Sequence, residues 1–394
     1  MIQNFIYNTP TRVVFGQDTI GQVGKLAKEF GATKVLLHYG SERVQKNGLM
    51  EQVRRALDAE GIGHVELGGV VPNPRLSKVY EGIELARKEN VDFLIAVGGG
   101  SVVDSLKAIG YGLANEGDVW DFYDFKRKPA VCLPVGVILT IAAAGSEMSN
   151  SSVITKDEGG IKRGCNNEAC RAKFAIMDPN LTMTLPEYQT MSGATDIMMH
   201  TLERYLSSGG HMELTDALAE GLLRTVMQNA KILLEDPSNY EARAEVMWAS
   251  SLSHNGLTGC GTDGGDWACH RLEHELGGLY DVAHGAGLAA VWGTWARYVR
   301  SNDKQGRFYK LATRVLGVSA EGTEDEVVLR GIEAMENFFR SIHMPTSLRE
   351  LGVDPTEEEY KILAHKCALS TGNNLGSIRK LHEEDMEAIY RAAR

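Results

Sequence analysis

The sequence predicts a chain of two parts: an α/β half with a mostly parallel sheet, then an all-helical half. Three observations predict this. Short, continuously apolar runs alternate with amphipathic stretches in the first half, the pattern of strands buried on both faces between helices. A glycine-rich loop, Gly98-Gly99-Gly100-Ser101, directly follows one of these runs. Beyond Pro186 only Pro237, Pro345 and Pro355 occur, and helical periodicity takes over.

The elements follow in order. Residues 11–16 (TRVVFG) read as an extra N-terminal strand. Residues 34–39 (KVLLHY) form a strand, followed by Gly40 and a helical pattern over about 48–60. Residues 93–97 (FLIAV) are a second strand, with a helical pattern from Val102 onward. Two more strands are expected at 135–140 and 174–177. A boundary near 180–186 divides the chain into residues 1–184 and 185–394, and the second part carries clear helices over 214–234 and 324–342.

Composition narrows the class. With 394 residues, 43% hydrophobic and 24% charged, the chain is long enough for two or three globular domains. A formal net charge of −11 without a clustered basic patch argues against a nucleic-acid partner. The six cysteines form no C-x-x-C pair, so free thiols and a reducing, cytoplasmic address are expected. The first residues lack a basic segment followed by an apolar stretch, so no signal peptide is expected. The longest uncharged run, residues 129–146, holds two prolines and two glycines and is short for a membrane span.

The Gly98–Ser101 loop sits between a strand and a helix. Glycines let the backbone approach a ligand, and free amides at a helix N-terminus attract phosphate. Ser101 adds a hydroxyl. The loop departs from the G-x-G-x-x-G fingerprint, so a tight turn without a ligand is the competing reading. Residues 140–147 (TIAAAGSE) form a second post-strand loop, and Tyr39-Gly40-Ser41-Glu42-Arg43 a third. The third lies where a nucleotide-binding sheet meets an adenosine ribose. Ser41 and Arg43 suit a 2′-phosphate and Glu42 a free 2′-hydroxyl, which leaves NADP and NAD both open.

The second half carries a donor set for a divalent metal. Asp196 and His200 stand at i and i+4, as do His270 and His274, and His284 follows. On a helix such pairs share a face. Carboxylate and imidazole donors suit Zn²⁺ or Fe²⁺. One unbroken helix over 270–284 would hold its end histidines about 21 Å apart, so Gly277-Gly278 is expected to break it and return His284. Spacing alone leaves open which of His270, His274 and His284 bind.

These stretches resemble the iron-containing (group III) alcohol dehydrogenases over nearly the whole chain, within it the butanol dehydrogenase-like, broad-range aldehyde reductase branch. The matching residues are Pro72-Asn73-Pro74, the loop Gly98 to Asp104, Gly145-Ser146-Glu147, Asp178-Pro179, Asp196 to His200, and residues 266–276 (DWACHRLEHEL) through to His284. The resemblance implies that Asp196, His200, His270 and His284 are the metal ligands and that His274 is a further active-site histidine able to relay a proton. It implies that Gly98 to Ser101, Asp104, Thr140, Ser149 and Lys162 hold the dinucleotide. Ala144 and Ala142 depart from the threonine and proline usual in the family and branch, which weakens the phosphate contacts expected there. A homodimer formed through edge strands of the first half is implied as well.

The expected reaction is reversible hydride transfer between NAD(P)H and a small aldehyde, with a dication as Lewis acid. Trp267, Cys260 and the neighbourhood of Met148 and Asn150 are candidate pocket residues, with core packing the plain alternative. A metal hydrolase, a polyol or sugar-phosphate enzyme on the same scaffold, and a non-catalytic binding protein are the competing readings. The hydrolase leaves the glycine loop unexplained.

Overall fold

The computed structural model describes residues 2–210 and 212–394. They form two compact units, one of Asn8–Thr184 and one of Leu185–Arg394 joined by the described residues before Asn8. Here the expected first domain is trimmed at its start. Gln3 donates its backbone N–H to the Gly261 carbonyl at 3.0 Å, which ties that short segment to the helical unit.

The unit of residues 8–184 is built on β1 (Arg12–Phe15), β2 (Lys34–Tyr39), β3 (Gly63–Leu67), β4 (Phe93–Gly98), β5 (Val135–Leu139) and β8 (Phe174–Met177). They lie in the order β1-β8-β5-β4-β2-β3, and each neighbouring pair is parallel. A separate antiparallel hairpin, β6 (Ser151–Lys156) and β7 (Ile161–Asn166), departs from the purely parallel expectation. The apolar runs of β2 and β4 are explained by burial on both faces. Val35, Leu37, Ile95 and Val97 pack in one core with Met50, Val53 and Leu57 of the helix Leu49–Asp58. On the next position of β2, His38 Nε2 meets Ser105 Oγ at 2.9 Å, from the helix Gly100–Ala114. Full burial of each such aliphatic side chain is worth about 1.5–3 kcal/mol.

The strand order fixes where a ligand can sit. From β2 the chain runs outward to β3, then returns to β4 and proceeds the other way to β5. The switch point therefore falls between β2 and β4, and their carboxyl ends carry Gly40 and Gly98-Gly99-Gly100. The helix after β4 starts at Gly100, two residues earlier than the apolar pattern suggested.

The helical unit centres on the helix Glu187–Tyr205, buried almost continuously from Thr190 to Tyr205. The helix Ala268–Tyr280 runs through Gly277-Gly278 without breaking, contrary to expectation. A glycine inside a packed helix costs only about 1 kcal/mol, which tertiary contacts override. The reversal comes instead at Asp281, left-handed at φ 54, before the next helix, His284–Val299. Gly285 lets that helix approach: a Cβ there would lie 1.9 Å from the Ser192 carbonyl oxygen. No described helix is long and apolar enough to cross a membrane.

Candidate metal and cofactor sites

The metal-type residues come from three helices of one unit. Asp196, His200 and Glu203 stand at i, i+4 and i+7 on Glu187–Tyr205, which puts all three on one face. His270 sits in the first turn of Ala268–Tyr280, a helix that starts behind Trp267, itself left-handed at φ 63. His284 opens the following helix.

Their donor atoms converge on Asp196. Its Oδ1 lies 3.2 Å from His200 Nδ1, 3.8 Å from His270 Nε2 and 3.7 Å from His284 Nε2. Four donors each about 2.1 Å from a tetrahedral ion stand roughly 3.4 Å from one another. Asp196 Oδ1, His200 Nδ1 and His270 Nε2 are buried yet make no hydrogen bond. Leaving such atoms unmet costs about 1–3 kcal/mol each, so a dication accepting their lone pairs fits this chemistry. Within that set Asp196, His270 and His284 form one mutually close group, and His200 joins it through Asp196. His284 is the open side, with 27% of its side chain exposed against 5% for Asp196.

Electrostatics favour a cation. Burial alone would raise the Asp196 carboxyl, but the surrounding imidazoles of His200, His284 and His270 hold it well below the usual carboxylate range. Burial pushes His200 far down, leaving its ring neutral and able to donate a lone pair. Burial opposes charge on His270 too, but the Asp196 and Glu203 carboxylates outweigh it and raise that ring.

Spacing did not reveal what stands behind the histidines. His270 Nδ1 and its backbone N–H both donate to Glu203 Oε1, each at 3.0 Å. His284 Nδ1 bonds Glu273 Oε2. His254 is a further ring beside the site: its centroid lies 4.0 Å from that of His200, and Arg204 Nη2 bonds its Nδ1 at 3.1 Å. Trp267 packs edge-on against His270, ring centroids 5.3 Å apart, and the Arg204 guanidinium lies over its ring, 4.6 Å from the centroid. His274 is buried, its ring 5.8 Å from that of His284, in a second close group with Glu273.

The glycine loop belongs to the other unit. The Thr140 amide donates to the Gly98 carbonyl at 3.0 Å, joining the loops after β4 and β5. A Cβ on Gly99 would come 2.9 Å from Ile141 Cβ, and one on Gly100 would come 3.0 Å from the Ala144 methyl. The amides of Gly100 and Ser101, at the helix start, have no partner within the helix. Gly40 is similarly tight, 3.2 Å from the Val70 carbonyl oxygen, and Ser41 beside it is exposed. Arg43 is engaged by the Thr184 hydroxyl.

Asp104 and Ser149 point into a polar network. Asp104 accepts from Ser146 Oγ at 2.5 Å and from the Val153 amide at 3.0 Å. Burial raises its carboxyl, opposed by Lys107 and more weakly by Lys162 of β7. Lys107, one turn beyond Asp104, is completely buried and donates to the carbonyls of Ser146, Ser149 and Ser151 at 2.7–3.0 Å. Its ammonium holds the loop from Gly145 to Ser151 in place of water. An Asp three residues before a Lys at a helix start was the signal available for it.

Comparison with known proteins also falls into two parts along the chain. The model of iron-containing alcohol dehydrogenases matches residues 10–179, and that of the family's C-terminal part matches 190–394. NADH-dependent butanol dehydrogenase A of Clostridium acetobutylicum is 37% identical over 98% of this chain and 99% of its own. The NADPH-dependent aldehyde reductase YqhD of Escherichia coli is 34% identical over 100% of both. The crystal structure of NADH-dependent butanol dehydrogenase A from Thermotoga maritima superposes with a TM-score of 0.95 at 41% identity, covering 100% of this chain and 99% of that one. Matched along both its units and by relatives spanning its full length, the chain belongs to the iron-containing alcohol dehydrogenase family.

Proposed function

We propose that the protein transfers hydride reversibly between NADH or NADPH and a small aldehyde, yielding the primary alcohol, in the manner of a butanol dehydrogenase. The single observation that carries this reading is the convergence of His200, His270 and His284 on the buried, unmet Asp196 Oδ1. Asp196, His200, His270 and His284 hold one dication, Fe²⁺ or Zn²⁺, in the 185–394 domain. That ion supplies Lewis acidity toward a carbonyl oxygen, and the reduced nicotinamide supplies the hydride.

The remaining roles fall to the chain. The amides and hydroxyl of Gly98 to Ser101 bind the pyrophosphate in the dinucleotide-binding unit of residues 8–184, with Thr140, Ser149 and Lys162 around it. Asp104 fixes the loop that carries Ser149. Gly40 and Ser41 meet the adenosine ribose, where Glu42 favours NAD and Ser41 with Arg43 favours NADP. His274 passes a proton to the alcohol oxygen, so that aldehyde, reduced cofactor and one proton give alcohol and oxidised cofactor. The relatives' names, which include both NADH- and NADPH-dependent enzymes, support the reaction. The protein acts in the cytoplasm as a homodimer, a reading supported by its free cysteines and by the family resemblance.

The test pairs metal analysis with oxidation of NADH and of NADPH over butanal and shorter aldehydes. Turnover that needs Fe²⁺ or Zn²⁺ and one reduced nicotinamide is expected. Hydrolysis of an ester or phosphate without nicotinamide would contradict it.

A further inference from the structure

We propose that Glu203 and Glu273 are positioning residues of the metal centre: each carboxylate accepts a hydrogen bond from the Nδ1–H of one histidine and so turns that ring's Nε2 toward Asp196. This rests on the reading of Asp196, His200, His270 and His284 as ligands, and it assigns a function to two acids outside that set.

The geometry is the same twice. Glu203 Oε1 stands 3.0 Å from His270 Nδ1, while the opposite nitrogen of that ring faces Asp196 Oδ1. Glu273 Oε2 bonds His284 Nδ1, and the opposite nitrogen again faces Asp196 Oδ1. A neutral imidazole that donates its Nδ1–H to a carboxylate presents a lone pair at Nε2, the form a metal needs. Glu273 also lies close to His274 and His284 in a group that resembles a second metal site. Its oxygen meets His284 on the nitrogen remote from Asp196, so it backs the ring and does not share the ion.

Burial shows that these acids are built in. The side chains of Glu203 and Glu273 are 1% and 0% exposed. Ionised carboxylates so placed are costly unless paired. Two helices close over them. Glu203 reaches from Glu187–Tyr205 to the first turn of Ala268–Tyr280, where it also takes the His270 amide, one of the orphan donors of a helix start. Glu273 lies against Gly287 of the helix His284–Val299, where a Cβ would come 2.8 Å from Glu273 Cγ. Each acid thus fixes one ring from a neighbouring helix and adds negative charge behind the ligands without spending a coordination position.

The test uses Glu203→Gln and Glu273→Gln, which keep the shape and remove the charge. Glu275→Gln is the control: it is a buried acid on the same helix, 3.8 Å from Lys366. Zn²⁺ affinity is measured by chelator competition, the visible spectrum of the Co²⁺-loaded protein reports ring geometry, and the melting temperature is taken without metal. Both test variants are expected to bind Zn²⁺ about 10–100-fold more weakly, with altered Co²⁺ spectra, near-native melting without metal, and no change for Glu275→Gln. Unchanged Zn²⁺ affinity in both, with a metal-binding parent, would overturn this assignment and leave the ligand reading intact. Loss of the metal-free fold in both would also overturn it, because the acids would then hold helices and not rings. A parent protein that binds neither Zn²⁺ nor Co²⁺ would remove the ligand reading itself.

Discussion

The metal-type cluster and the glycine loop are built by opposite means. The cluster is made of side chains: four donors and two backing acids on three packed helices, each with a definite partner or a definite unmet atom. The loop is made of backbone: glycines that leave room at the carboxyl end of a strand, beside a loop held from behind by Lys107. A side-chain site is fragile to chemistry, because removing one atom type removes its function. A backbone site is fragile to volume, because what it offers is the space a Cβ would fill. The comparison yields four expectations, from the largest effect to the smallest.

His270→Ala should empty the metal site and cost on the order of 1,000-fold in turnover, about 4 kcal/mol of Lewis-acid stabilisation. Elemental analysis beside the nicotinamide assay checks it. Cofactor binding, measured by quenching or calorimetry, should persist, because the loop lies in the other unit. Next, His274→Ala should lower kcat by roughly 100-fold at unchanged metal content, the range for losing one proton-transfer group. Retained kcat would reduce His274 to packing.

The third concerns acid. His38 lies on β2, wholly buried between the Leu67 carbonyl and Ser105, and burial pushes it down to about 4. The unfolded ring takes up a proton near its ordinary 6.5, while the folded ring does not until about 4. Stability is therefore lost as pH falls from 6.5 to 4, and the loss levels off below. That shift amounts to roughly 3 kcal/mol. Urea unfolding at pH 7 and pH 4 should show this extra loss in the parent and not in His38→Leu, whatever the other groups contribute to both. Smallest, Gly99→Val should raise KM for NADH and NADPH about tenfold, some 1.4 kcal/mol, with metal content unchanged. Its side chain would press on Ile141. An equal loss of metal would erase the distinction between the two regions.

Legibility in the sequence follows the same divide. β2 and β4 were readable because both faces are buried, which makes the whole run apolar. β3 was not: it is an edge strand whose Glu66 pairs with Arg54, so no apolar run marks it. The β6–β7 hairpin carries Lys156, Lys162 and Arg163 and looks like loop. The pairing of Asp196 with His200 on one helix face was readable from residue type and spacing. Choosing among His270, His274 and His284 was not, because the reversal depends on one left-handed residue, Asp281, and not on the glycine pair. Glu203 and Glu273 escaped notice because a glutamate in a helix usually marks a wet face; only the packing of three helices turns these two inward. Lys107 escaped for the same reason, a charged residue whose solvent is replaced by three carbonyls.

The most direct test of the whole account is anomalous diffraction from crystals grown with Zn²⁺ or Fe²⁺. The account predicts a single strong peak about 2.0–2.2 Å from Asp196, His200, His270 and His284. A peak bound elsewhere, or none among these four side chains at full metal saturation, would contradict it.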